Sequence, residues 1–223
     1  MTRRIKLTYM GIFNQNSKLI KSVNKIIDLI WLNFLWVIFS LPLITIGAST
    51  CAAFSVTLKM VDDEEGYIAR SFIKAFRQNF KQATIMWCIT APLLYLAYLI
   101  WQVVLKAEST EYFFLLILGA ILYTALLIVF NLYTYPLIAR YENSLKNMIK
   151  NSLGICLTYF GRTVLILALL LLEGAIIFWN RWTILAGLFF GPEFMIFTIS
   201  GIAKKIFLQI ERHEDANSGT INQ

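Results

Sequence analysis

Residues 26–61 read IIDLIWLNFLWVIFSLPLITIGASTCAAFSVTLKMV. The stretch is apolar, too long for one helix of a soluble domain, and interrupted near its middle by Leu41-Pro42 and Gly47. Proline removes a backbone donor and clashes with the preceding turn, so a single straight helix is excluded. From Ser17 to Val61 the chain could build roughly 67 Å of helix, and two crossings of a hydrocarbon layer need roughly 60 Å. A tight hairpin bent at Pro42 to Gly47 therefore fits, and so does a re-entrant loop. Either returns the chain to the side it came from. The second arm, Thr45 to Val61, is rich in Gly, Ala, Ser, Thr and Cys. Small residues let helix backbones approach closely, so this arm is expected to be buried against its neighbours.

Outward from that stretch the composition is of one kind. The 223 residues are 58% hydrophobic and 15% charged, against about 25% charged in soluble domains. Apolar runs recur at Ala83–Leu105, Tyr112–Ala139, Thr163–Trp179 and Trp182–Ala203, each of a length that reads as a transmembrane helix. The expected fold is all-α: a polytopic transmembrane bundle of five long spans plus a short hairpin or re-entrant arm near the N-terminus, forming one membrane domain over 1–205. Residues 206–223 are expected to be a polar, disordered cytoplasmic tail. Net charge is +7. Because the basic residues flank apolar runs, the lipid surface is the expected counter-charge and nucleic acid is not.

Between the organising stretch and the next span lie Asp62-Asp63-Glu64-Glu65 and then YIARSFIKAFRQNFKQ, residues 67–82. Ile68, Phe72, Phe76 and Phe80 recur every four residues, with Arg70, Lys74, Arg77 and Lys81 on the opposing face. The pattern predicts an amphipathic interfacial helix with carboxylates at its positive dipole end. Residues 141–161 repeat this plan before the next apolar run.

Sidedness follows from counting. Lys and Arg number six in residues 1–26, five in 59–82, four in 140–162 and three in 203–223, but one each in 106–111 and 180–182. If residues 26–61 return to their starting side, eighteen of the twenty basic residues share one face. The positive-inside rule then makes that face cytoplasmic, with both termini on it.

Few residues offer chemistry. His213 is the one histidine and falls in the tail; Cys51, Cys88 and Cys156 have no metal-like spacing and read as small buried side chains. There is no phosphate loop, dinucleotide fingerprint or nucleophile elbow, so no catalytic residue, metal or cofactor is expected and the protein is read as not an enzyme. Two intramembrane carboxylates are candidates. Glu193 follows Gly191-Pro192 inside the last span, where a broken helix and a buried charge together mark a functional position. Glu173 sits nearer the end of its span, within reach of Arg181 across a short turn. The basic face Arg70, Lys74, Arg77 and Lys81 is a candidate surface for anionic headgroups or for a protein partner.

Several of these residues also carry a resemblance. Asn33 with Leu41-Pro42 and Thr45-Ile46-Gly47-Ala48, then Asp63-Glu64-Glu65-Gly66-Tyr67, then Phe72 and Lys74-Ala75-Phe76 with Gln78 to Ala83, resemble the YesL family of bacterial integral membrane proteins. Tyr135-Pro136-Leu137 and the segment from Leu145 to Ser152 continue it. The resemblance implies a multi-pass cell-membrane protein and an accessory role in carbohydrate uptake, with ABC-type sugar transporter subunits as partners. It implies no catalytic residues. Two other roles are compatible with the residues: a self-sufficient small transporter or channel using Pro-broken helices and Glu193, and a membrane-anchored regulatory or interaction module.

Overall fold

The computed structural model describes residues 18–64, 66–107 and 111–221; the basic residues before Lys18 and the carboxylate of Glu65 lie outside them. Every element in the described residues is helical: α1 (Lys18–Ser40), α2 (Ile46–Met60), α3 (Ile68–Lys106), α4 (Phe113–Arg140), α5 (Leu145–Thr158), α6 (Phe160–Ile177) and α7 (Arg181–Ile221), with a short 3-10 turn at Leu43–Thr45. Five stretches are long and apolar enough to cross a membrane, and a bent pair within α7 adds a sixth. The protein is thus an all-α membrane bundle.

The hairpin forms as the prolines demand. Leu41 N–H donates to Ile38 O (3.3 Å), Thr45 N–H to Pro42 O (2.7 Å), and the Thr45 hydroxyl to Phe39 O (2.6 Å), so the turn satisfies its own freed backbone. The second arm, α2, is the centre of the molecule. Cys51, Ala52, Ala53 and Thr57 are fully buried, as their size predicts. Its small polar side chains bond outward to three helices. Ser49 donates to Trp36 O of α1 (3.0 Å), Ser55 to Ala139 O of α4 (3.2 Å), and Thr57 shares a 2.7 Å bond with Ser200 of α7. Such bonds are favoured where lipid offers no alternative partner.

α2 ends in a Schellman turn. Asp63 takes the left-handed position (φ 60°), Asp63 N–H donates to Met60 O and Glu64 N–H to Lys59 O. Glycine usually fills this position, and Asp is among the few side chains that tolerate it. The Asp63 carboxylate then meets Lys25 Nζ at 2.7 Å and Lys21 Nζ at 3.9 Å. Asp62 pairs with Lys204, whose ammonium also donates to Leu58 O (2.8 Å). The start of α1, the end of α2 and the second half of α7 therefore share one end of the bundle. Asp62 and Asp63 serve these ion pairs; no acidic residue occupies the first turn of α3, contrary to the dipole role expected for the cluster.

Two further boundaries, and the exposure of one cysteine, differ from expectation. The amphipathic stretch 67–82 is not a separate interfacial helix; it is the first part of the 39-residue α3, because no Gly or Pro separates it from the apolar part. Its Phe stripe is spent largely inside the protein: Phe72 and Phe76 meet Phe39 of α1 edge to face, at 5.4 and 5.0 Å between centroids. The tail expected to be disordered from residue 206 is helical through Ile221. Ile206 and Phe207 are buried, and Arg140 holds Glu211 by paired bonds of 3.1 and 3.0 Å. Cys88, expected to be buried, is exposed on α3.

Gly47 sets how far the hairpin reaches. A Cβ there would meet the Ala83 carbonyl oxygen and the Trp87 Cβ of α3. From Trp87, α3 continues for 19 more residues to Lys106, roughly 28 Å of helix. α1 and α2 thus accompany only the first half of α3. Beyond the hairpin, α3 pairs with α4 and α6 pairs with α7.

Candidate functional site

The site is built by the break in α7. Pro192 has no N–H to donate and its ring crowds the carbonyl four residues back, at position 188. The axis bends by 62° there, between Arg181–Gly187 and Phe189–His213. α7 begins cleanly: Asn180 Oδ1 accepts from Trp182 N–H and Thr183 N–H, and Thr183 Oγ1 accepts from Asn180 N–H, a reciprocal cap. Gly187 and Gly191, four apart, let Ile177 of α6 lie directly on the helix, since a Cβ at either would strike its side chain. This small-xxx-small spacing fixes the bent segment against α6. A cavity of about 250 Å³ remains beside it, lined by Glu173, Ile176, Gly187, Phe190, Gly191 and Phe194 among others.

Asn33 of α1 closes the break from the other side. It is 2% exposed, and its Nδ2 donates to Phe189 O at 2.5 Å. Glu193 stands one turn further along α7. Helical side chains lean toward the N-terminus, which carries the Glu193 carboxyl back toward the Phe189 carbonyl and its Asn33 cap. Glu193 is 0% exposed. Neither of its oxygens has a hydrogen-bond partner, and Asn33 Oδ1 has none either. Three buried oxygens thus lie around one helix break with no donor supplied to them. Buried polar groups are nearly always paired, so this cluster calls for an explanation.

Glu173 is placed differently from expectation. Its Oε1 accepts from Thr198 Oγ1 of α7 at 2.5 Å, and among the described residues it makes no ion pair with Arg181. Arg181 opens α7 at the far side of the turn, whereas Glu173, about one turn before the end of α6 at Ile177, meets the α7 hydroxyl that passes it. Thr198 is five residues beyond Glu193, about 140° around the helix, so the two carboxylates address different faces of α7.

Arg70, Lys74, Arg77 and Lys81 are all exposed on α3 and form no ion pair among the described residues. At the same end, the hydrogen bond and charge of Lys25 hold the Asp63 carboxyl below the usual carboxylate range. Burial pushes the Glu211 carboxyl up, but its bonds to Arg140 and Tyr141 outweigh this and leave it lowered. Among the described residues no cluster of His, Cys, Asp or Glu could hold a metal ion.

Glu193 was visible in the sequence, but the residues that complete its surroundings were not. Asn33 signals itself only as the one amide in an apolar run, and Gly187-x-x-x-Gly191 as a packing motif. Thr198 carries no signal at all.

Comparison with known proteins bears on the first part of the chain. No curated protein and no solved structure matches it. The family described as a protein of unknown function, DUF624, matches residues 29–101; the matched stretch holds α1 from Leu29 with Asn33, the Pro42 turn, α2 and most of α3, and it ends before the helix that carries Glu193.

Proposed function

We propose that the protein is a non-enzymatic, multi-pass component of solute uptake in the cell membrane, of the YesL type, and that the Pro192 break is its working part. The supporting observation is Glu193 itself: a fully buried carboxylate with no partner, beside a broken helix. A charge at such depth is costly and adds no hydrogen bond to the fold, and intramembrane carboxylates of this kind mark transport pathways and conformational switches. The basic end is cytoplasmic in this reading, with both termini there, and the α1–α2 arm is re-entrant. Carbohydrate is the solute that the family resemblance favours. Purified protein in liposomes should pass a labelled solute, and Glu193→Gln should abolish that flux. Absence of flux at any solute tried would remove the self-sufficient transporter.

A second reading has its own observation, the unpaired exposed row Arg70, Lys74, Arg77 and Lys81 on a rigid helix. It supports an accessory that docks ATP-driven sugar transporter subunits through this face. Co-purification of such subunits in mild detergent, lost on reversing the charges at Arg70, Lys74 and Arg77, is the expected result. Retention on protein-free vesicles of anionic lipid alone would assign the face to headgroups instead.

A further inference from the structure

Three buried oxygens without a donor set a definite chemical requirement. Glu193 Oε1, Glu193 Oε2 and Asn33 Oδ1 are acceptors, and the one amide proton known to be used, on Asn33 Nδ2, goes to Phe189 O. We propose that this site takes a small monovalent cation, a proton or Na+, from solution. The proposal rests on the reading of the Pro192 break as the working site and names its ligand.

Charge selects the ligand class. No protein cation faces Glu193 from any helix packed on α7. α1 has no charged residue from Leu29 to Ser40, α2 none from Ile46 to Leu58, and α4 none from Phe113 to Ala139. α6 carries Arg162 in its first turn, eleven residues before Glu173 and lying over the Tyr159 ring, and Glu173, whose Oε1 is bonded to Thr198. On α7 itself, Arg181 is twelve residues away and Lys204 eleven, the latter occupied by Asp62 and Leu58 O. The remaining titratable side chains in these stretches are the Cys51 thiol and the Tyr123, Tyr133 and Tyr135 phenols, none of which carries positive charge. A single carboxylate balances a single positive charge, whereas divalent ions of the calcium type gather several carboxylates. The break adds oxygen ligands, because proline leaves a carbonyl without its helical donor, and unwound carbonyls beside a carboxylate are how transporters hold Na+ or H+.

Infrared difference spectroscopy on the full chain in phosphatidylcholine nanodiscs tests this without any solute or partner. Between about pH 5 and about pH 9 a protonated-carboxyl band should disappear, and Glu193→Gln should remove that band from the difference spectrum. In sodium chloride, compared with N-methylglucamine chloride, competition by Na+ would lower the midpoint by about one pH unit per tenfold rise in Na+. An unmoved midpoint would identify the proton alone. Asn33→Ala, a second variant should Glu193→Gln fail to fold, is expected to shift the same band. A spectrum with no Glu193-dependent band responding to pH or Na+ overturns the proposal, as does a band that Asn33→Ala leaves unmoved. Because no solute is involved, failure here leaves the uptake reading standing, and failure of uptake leaves an observed ion titration standing.

Discussion

At Pro42 the chain reverses between α1 and α2, and at Pro192 it bends within α7. Both prolines lie in apolar runs close to a glycine, and both free backbone groups at depth. At Pro42 the freed groups are answered locally, by Thr45 through both its N–H and its hydroxyl, and the turn displays Leu41, Leu43 and Ile44 outward. At Pro192 another helix takes part, Asn33 bonding the Phe189 carbonyl next to the one the proline deprives, and the residue that follows the proline is a carboxylate with no partner. The same signal in sequence therefore builds a self-satisfied corner in one place and a bend that carries an unpartnered acid in the other. The neighbouring side chain decides which: a hydroxyl that closes its own turn, or an acid that does not.

The comparison can be broken most severely at the self-satisfied corner. Gly47→Leu would drive a side chain into the Ala83 carbonyl and Trp87, neither of which is the flexible end of a side chain. We expect a loss of about 3 kcal/mol or more, seen as disappearance of the monodisperse peak in detergent; a variant with wild-type thermal stability would show that the close approach does not exist. Next in size is Asn33→Leu, which removes the bond that ties α1 to the Phe189 carbonyl beside the bend. A cost of about 1–3 kcal/mol is expected, read as a lower unfolding temperature. Thr45→Val removes one hydroxyl bond from a partly exposed turn whose backbone bonds remain, so about 1 kcal/mol should be lost. Equal costs for the last two would erase the distinction between local and long-range closure.

The smallest effect concerns acid. Glu211 has its folded-state pKa lowered below the ordinary 4.5. The stability it contributes is present above that value and is lost as pH falls through the lowered one. Thermal unfolding at neutral pH and near pH 4 should show this acid loss in the wild type and a weaker one in Glu211→Gln. An identical acid dependence in the two proteins would remove the Arg140–Glu211 pair as its source.

Much of the fold was legible because the bilayer limits what a chain can do. Pro42, the small residues of α2 and the grouping of basic residues together required a return, and Glu193 was conspicuous as a charge in an apolar run. What stayed hidden depended on contacts or on the absence of a breaker. Nothing in Tyr67–Gln82 shows that the helix runs unbroken into the next span. The tail looked disordered by composition, although Ile206, Phe207 and Ile210 carry helical spacing that the polar residues obscured. Asn33 meets Phe189 across 156 positions, a separation that no local pattern encodes. Glu173 was matched to the nearest cation along the chain, whereas the structure gives it the nearest hydroxyl in space.

From Phe189 to His213 the chain is one uninterrupted helix, roughly seven turns long. Its upper end begins at the bend beside Glu193, and its lower part is gripped by Asp62 at Lys204 and by Arg140 at Glu211. A rod held in this way cannot change its tilt at the top without straining the charged clasps at the bottom. An event as slight as gaining or losing one positive charge at the bend would therefore load those clasps, the farther of them roughly 27 Å along the helix.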